Sequence, residues 1–313
     1  MAGKKYKPQK ERLRKPIKYR VEHFMVAFVV KVIQAMPRKY GIGVMRALVD
    51  VFHILAPEHH AVMIYNLTLA FGDEKTVREI QNIARDAPRH FAVAFVDTLR
   101  IPNIIREGFD RYVKAENMHI LDEAMSAGKG AILLTGHFGN WELMGAYVAQ
   151  KNYPIKVVGS PLKNPLLDKL LVDMRNNAGY RNIPRGRNAK GILRALKEGV
   201  LLGILMDQDI KKLNGVFVDF FGRKAHTPIG PVVLAAKFSI PIIPMFMHLE
   251  KDLTYNIQCF DPIELTHTGD TERDIVANTQ KCSDVYEKMI RQHPEQWVWI
   301  HRRWKQKPND IQP

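Results

Sequence analysis

From about residue 112 onward, short apolar runs alternate with amphipathic segments, and this alternation constrains the fold more than any other feature. "AILLT" (131–135) leads to "WELMGAYVAQ" (141–150), and "IKVVG" to "NPLLDKLLVDMRNNAG" and "NAKGILRALKEG". "LLGILM" is followed by "VFVDFF" and "GPVVLAAKFS"; "IIPMFM" and "TYNIQCF" precede the long segment "TERDIVANTQKCSDVYEKMIRQH". Strands interleaved with helices predict an α/β fold, with a mostly parallel central sheet flanked by helices on both faces. Asn164 is placed to cap a helix whose first position is Pro165. Residues 41–110 read as helices, with Pro88 as a break. The chain divides into a basic amphipathic N-terminus (1–40), a helical section (41–110) and an α/β core (111–313), the last two forming one domain or two.

Charge narrows the partners. The chain of 313 residues carries 47 Lys+Arg against 32 Asp+Glu, a formal net charge of +15. Residues 1–20 hold nine Lys/Arg and one Glu, and "HRRWKQK" (301–307) adds a second basic knot. Such runs are solvated tails or sites of attraction to an anionic partner: headgroups, a phosphorylated substrate, nucleic acid or an acidic carrier protein. Common RNA modules interleave aromatic and basic blocks, and none is present, which argues against nucleic acid. Cys259 and Cys282 are too few and too far apart for a disulfide framework or a zinc knuckle, which implies a reducing compartment.

After the basic run, Val21, Phe24, Met25, Phe28, Val29, Val32, Ile33 and Met36 recur at spacings of three and four. They form one apolar helical face. The longest uncharged stretch, "FMVAFVV", is far short of the ~20 residues a spanning helix needs. A basic flank beside an amphipathic helix suits a segment lying in a headgroup layer. A helix packing its stripe on the protein's own core, or a single span, are the alternatives.

"LLTGHFGNWELMG" holds the candidate site. Parallel sheets carry their chemistry at the carboxyl ends of strands, and His137 follows the strand 131–135 between Gly136 and Gly139. Five residues of helix turn about 500°, so His137 and Glu142 would not share a helical face. They meet only if His137 lies in the turn and Glu142 reaches back from the first helical turn. Glu142 would then fix the tautomer and leave the other imidazole nitrogen as a base. Asp207 and Gln208 stand at the end of a second strand, and Arg175 falls late in its helix, where a cation favours the dipole in any case. P-loop, GxGxxG and HExxH spacings and a serine nucleophile elbow are absent from the sequence. A covalent serine mechanism is unsupported, and no metal site is suggested.

These blocks, with "YNLTLAF" upstream, "GILMDQD…GVFVDFFGRKAHTPIG" and the closing "PEQWVWIHRRWK", resemble the late acyltransferases of lipid A biosynthesis, the lauroyl and myristoyl transferases. The resemblance covers nearly the whole chain and lies in the order and spacing of the blocks. The NHxxxxD and FPEGTR blocks of glycerolipid acyltransferases, which share the catalytic logic, are missing. The resemblance implies a glycerolipid-acyltransferase-like fold. It makes His137 the general base and Glu142 the residue that orients it. Arg175 would stabilise charge at the thioester carbonyl or hold substrate phosphate, and Asp207 would be structural or orienting. It further implies an acyl thioester on acidic acyl carrier protein as co-substrate and a hydroxyl of an anionic glycolipid, a lipid A precursor, as acceptor. No other cofactor is implied, and the work would be done at the cytoplasmic face of the bacterial inner membrane. Two rivals stand beside this reading: a related acyltransferase acting on another lipid or glycolipid, such as a phosphatidylinositol mannoside, and a basic binding protein without activity.

Overall fold

The computed structural model describes residues 16–185 and 189–308, so most of the basic N-terminal run lies outside the described residues. Five helices come first: α1 (Pro16–Ala35), α2 (Arg38–Leu55), α3 (Pro57–Phe71), α4 (Val77–Leu99) and α5 (Ile101–Glu107). The alternating part follows as β1 (Val113–Glu116), α6 (His119–Ser126), β2 (Ala131–Thr135), α7 (Trp141–Gln150), β3 (Ile155–Gly159) and α8 (Pro165–Asn177). It continues as β4 (Arg181–Pro184), α9 (Ala189–Lys197), β5 (Leu201–Leu205), β6 (Gly215–Phe220), β7 (Arg223–Pro228) and α10 (Gly230–Phe238). It closes with β8 (Ile242–Leu249), β9 (Tyr255–Cys259) and α11 (Thr271–Gln292).

The strands form a seven-stranded sheet in the order β1-β9-β8-β2-β5-β3-β4, with β6 and β7 as a separate antiparallel hairpin. Only the β8–β9 pairing in the sheet is antiparallel, so the α/β, mostly parallel expectation holds. Alternation along the central strand builds two cores. Ile132 and Leu134 of β2 join one apolar cluster, while Ala131 and Leu133 join the other on the opposite face.

Local chemistry accounts for the helix starts. Asn164 caps α8 by accepting from the Leu166 N–H, with Pro165 at the first position as expected. Thr76 and Glu79 form a capping box at α4. Pro88 does not break this helix, contrary to expectation. Ala84, Ala87, Ala92 and Val93 are buried on either side of it, and that packing carries α4 through the lost hydrogen bond.

The stripe on α1 is mostly unpacked. Phe24 and Phe28 are 72% and 60% exposed, and Ile33 at its end is 3% exposed. No single helix among the described residues is long and apolar enough to cross a membrane; α2 and α3, bent at 91°, meet length and composition only as a pair.

Candidate active site

β2 and β5 are neighbours in parallel register, with Thr135 opposite Leu205. His137 and Asp207 each lie two residues beyond that pair, so the sheet delivers them to one level at its carboxyl edge. The Asp207 carboxylate binds His137 twice. Oδ2 accepts from the backbone N–H at 2.8 Å, and Oδ1 faces Nδ1 at 2.9 Å. Gly136 permits this approach, because a Cβ there would stand 3.2 Å from the Asp207 carboxyl and 2.9 Å from the Tyr286 ring. Gly139 has φ +56°, and a Cβ on it would fall on the Met247 carbonyl oxygen. Both glycines around the histidine are thus dictated by the turn.

Asp207 is buried, and burial by itself raises a carboxyl's pKa. The contact with His137 and the hydrogen bonds from Trp297 and the His137 backbone outweigh that and hold it below the usual carboxylate range. An ionised carboxylate only accepts, so Nδ1 of His137 carries a proton, and in the neutral imidazole Nε2 is the nitrogen with the lone pair. The imidazole side chain is 29% exposed and lines a cavity.

Glu142 does lie in the first turn of α7, but it is engaged elsewhere. Oε2 accepts from Arg175 Nε at 2.9 Å and from the Tyr180 hydroxyl at 2.6 Å, and Oε1 takes Arg175 Nη2. The carboxylate on the imidazole is therefore Asp207, and the reach of Glu142 back to His137 is not the arrangement found. With two donors occupying Glu142, the imidazole turns to the residue that β5 places beside it. Arg175 likewise is no free cation: besides Glu142 it donates to Asn182 Oδ1 at 2.8 Å. All four expected residues still converge, since His137, Glu142 and Arg175 line one cavity and Asp207 supports the first of them.

That cavity, of about 350 Å³, lies between α7 and the sheet. Leu133, Val157 and Gly203 supply the sheet side and Met144 and Val148 the helix side. Its polar lining comes from His137, Glu142, Arg175, Arg185 and Gln208. Arg185 is half-buried, and burial lowers its pKa, with no carboxylate among the described residues offsetting this. The cavity is thus an apolar slot with a cluster of polar side chains in its lining.

Trp297 is a side chain of this candidate site that sequence reasoning missed. Its indole N–H donates to Asp207 Oδ2 at 2.9 Å, and the residue is fully buried. The segment around it is tied to the histidine turn, with Val298 N donating to His137 O and Gly139 N to Gln296 O. The only sequence signal was the tryptophan-rich block near the C-terminus, whose role depends on a fold that brings it back to β2. Trp141 was also passed over; its ring meets the His137 ring edge-on, centroids 5.1 Å apart.

Comparison with known proteins identifies relatives of the chain. The family model described as "Bacterial lipid A biosynthesis acyltransferase" matches residues 6–306. A phosphatidylinositol mannoside acyltransferase of Mycobacterium tuberculosis is 27% identical over 188 residues, 59% of this chain. That alignment takes in 57% of the relative, so the chain spans little more than half the length of this relative. A lipid A biosynthesis acyltransferase of Haemophilus influenzae is 27% identical over 252 residues, 79% of this chain and 78% of the relative. The lipid A biosynthesis lauroyltransferase of Escherichia coli is 30% identical over 201 residues, covering 62% and 61%. With the family model matching almost end to end, the chain belongs to the bacterial lipid A biosynthesis acyltransferase family.

Proposed function

We propose that this protein moves a fatty acyl chain from an acyl carrier protein thioester to a hydroxyl of a lipid A precursor, with His137 as general base and Asp207, in place of Glu142, orienting it. The observation that carries the proposal is the His137–Asp207 pair beside a largely apolar slot, which His137 lines. Nε2 takes the proton as the acceptor oxygen attacks the thioester carbonyl. The tetrahedral intermediate collapses with loss of the thiolate, which receives that proton from the imidazolium. No metal and no covalent enzyme intermediate enters these steps. The slot suits the acyl chain of the donor, leaving its carbonyl near His137. Arg175 is neutralised by Glu142, so the half-buried guanidinium of Arg185 is the better receptor for an anionic group of either substrate.

The net charge of +15 supports an acidic carrier protein and an anionic acceptor. The exposed apolar stripe of α1 supports attachment to the cytoplasmic face of the inner membrane. A second reading, transfer to a phosphatidylinositol mannoside or similar glycolipid by the same chemistry, is favoured by the mycobacterial relative. The test incubates the purified chain with acyl carrier protein thioester and each acceptor, followed by mass spectrometry. The first reading expects a lipid A precursor heavier by one acyl chain, unaffected by exhaustive chelation. Acylation of the mannoside alone, or of neither lipid, overturns it.

A further inference from the structure

A second cavity, of about 490 Å³, lies between α2, α3, α4 and the segment 297–300. It shares one wall with the first: Trp141 lines both, and its ring touches that of His137. The chemistry of the two differs. The first is lined in part by Glu142, Arg175 and Arg185; the second is walled by Met45, Val49, Met63, Ala92, Trp297 and Trp299 and, among the described residues, by no Asp, Glu, Lys or Arg. Three histidines also face it, and of these His60 is pushed down by burial and by neighbouring His53, which keeps that ring neutral.

Its mouth is apolar as well. Phe52, Phe95 and Ile300 line the cavity yet are 56%, 46% and 52% exposed. Around Phe52 the outer face of α2 presents Val44, Leu48, Val51, Ile54 and Leu55, all exposed. An apolar chamber with an apolar entrance takes hydrocarbon and rejects a charged headgroup. Acyl transfer between two lipidic substrates needs two hydrocarbon sites that converge on one base. Two cavities meeting at Trp141 supply that arrangement.

We propose, resting on the acyltransferase reading above, that the second cavity holds an acyl chain of the lipid acceptor, entering past Phe52 and Phe95 and running by Trp141 toward His137. The donor chain occupies the first cavity. Filling the second one should therefore harm acceptor binding and spare the donor.

The test uses the full chain and two variants, Val49→Phe at the half-exposed mouth and Ala92→Leu on the inner wall, so that one misfolded protein does not decide the matter. A fatty acid brominated at mid-chain is the binding probe, because Trp297 and Trp299 line the second cavity and not the first. Bromine seated there quenches their fluorescence, and both variants should lose that part of the quenching, leaving only what Trp141 contributes from the first cavity. In transfer assays, KM for the lipid acceptor should rise about tenfold or more, with kcat, donor KM and donor chain-length preference unchanged. A rise in donor KM with acceptor KM unmoved overturns the proposal, as does quenching equal to wild type in both variants. If the wild type transfers nothing, the functional reading fails and the acceptor assignment with it; quenching then still decides whether hydrocarbon enters this cavity.

Discussion

Asp207 holds His137 at both its main-chain nitrogen and its ring, through two carboxylate oxygens 70 positions away in the chain. One carboxylate thereby fixes the turn and the tautomer together. Its pKa is depressed relative to the unfolded chain, where a carboxyl titrates at about 3.9. A depressed group contributes stability at pH values above the unfolded pKa, and that contribution fades as pH falls through the folded one. The urea midpoint of wild type minus that of Asp207→Asn should be constant through the neutral range and shrink only below about pH 4. A difference already shrinking at pH 6 would mean that burial, and not the imidazole, sets this carboxyl.

Trp297 acts through Asp207. A hydrogen bond to a charged group contributes roughly 1.5–3 kcal/mol, so Trp297→Phe should lower kcat about tenfold to a hundredfold. KM for the donor should stay near wild type. Removing one of the groups that hold Asp207 low raises its pKa, so in acid unfolding the stabilising contribution of this carboxylate should fade at a higher pH than in wild type. A merely structural tryptophan would lower the melting temperature and leave the pH profile in place.

Glu142 and Arg175 form a pair whose side chains are 13% and 12% exposed. Breaking such a pair from one side costs about 3–5 kcal/mol, because a charge is left buried. Glu142→Gln and Arg175→Met should each destabilise strongly, and the double variant should lose much less than the sum. Additive losses in chemical denaturation would show that the two are not coupled.

On α1, deleting residues 1–36 would remove more than the apolar stripe. Arg100 donates to the Met36 carbonyl and Gln34 donates to the Leu99 carbonyl, so the end of this segment belongs to the packed body. Substitution is cleaner. Phe24→Ser with Phe28→Ser should leave the melting temperature unchanged and weaken sedimentation with anionic vesicles at least tenfold, since each ring transfers roughly 1.5–3 kcal/mol into lipid. Unchanged sedimentation places attachment on α2 and α3 or on the basic C-terminal knot.

Much of this was legible in the chain itself. β2, α7 and β3 coincide with the apolar and amphipathic runs that announce them, because their residues meet a two-sided core. β1, β4 and β7, with sequences VKAE, RNIP and RKAHTP, escaped notice. The first two are edge strands of the sheet and the third belongs to the outlying hairpin, so none needs a continuous apolar run. The position of His137 could be read from its strand end and its glycines. Its partner could not, because that depends on β5 lying beside β2, and strand order is not written in local pattern. Glu142 is near in sequence and Asp207 near in space.

The measurement that bears most directly on the mechanism is kcat for acyl transfer by Asp207→Asn, set beside His137→Ala, with acyl carrier protein thioester and lipid A precursor both saturating. An amide cannot hold the imidazole with its proton on Nδ1 as the carboxylate does, so the base is lost with its geometry intact. Both variants should fall by ~10²–10⁴ in kcat while staying folded and binding the acceptor as wild type does. More than half the wild-type kcat in either variant would contradict the account.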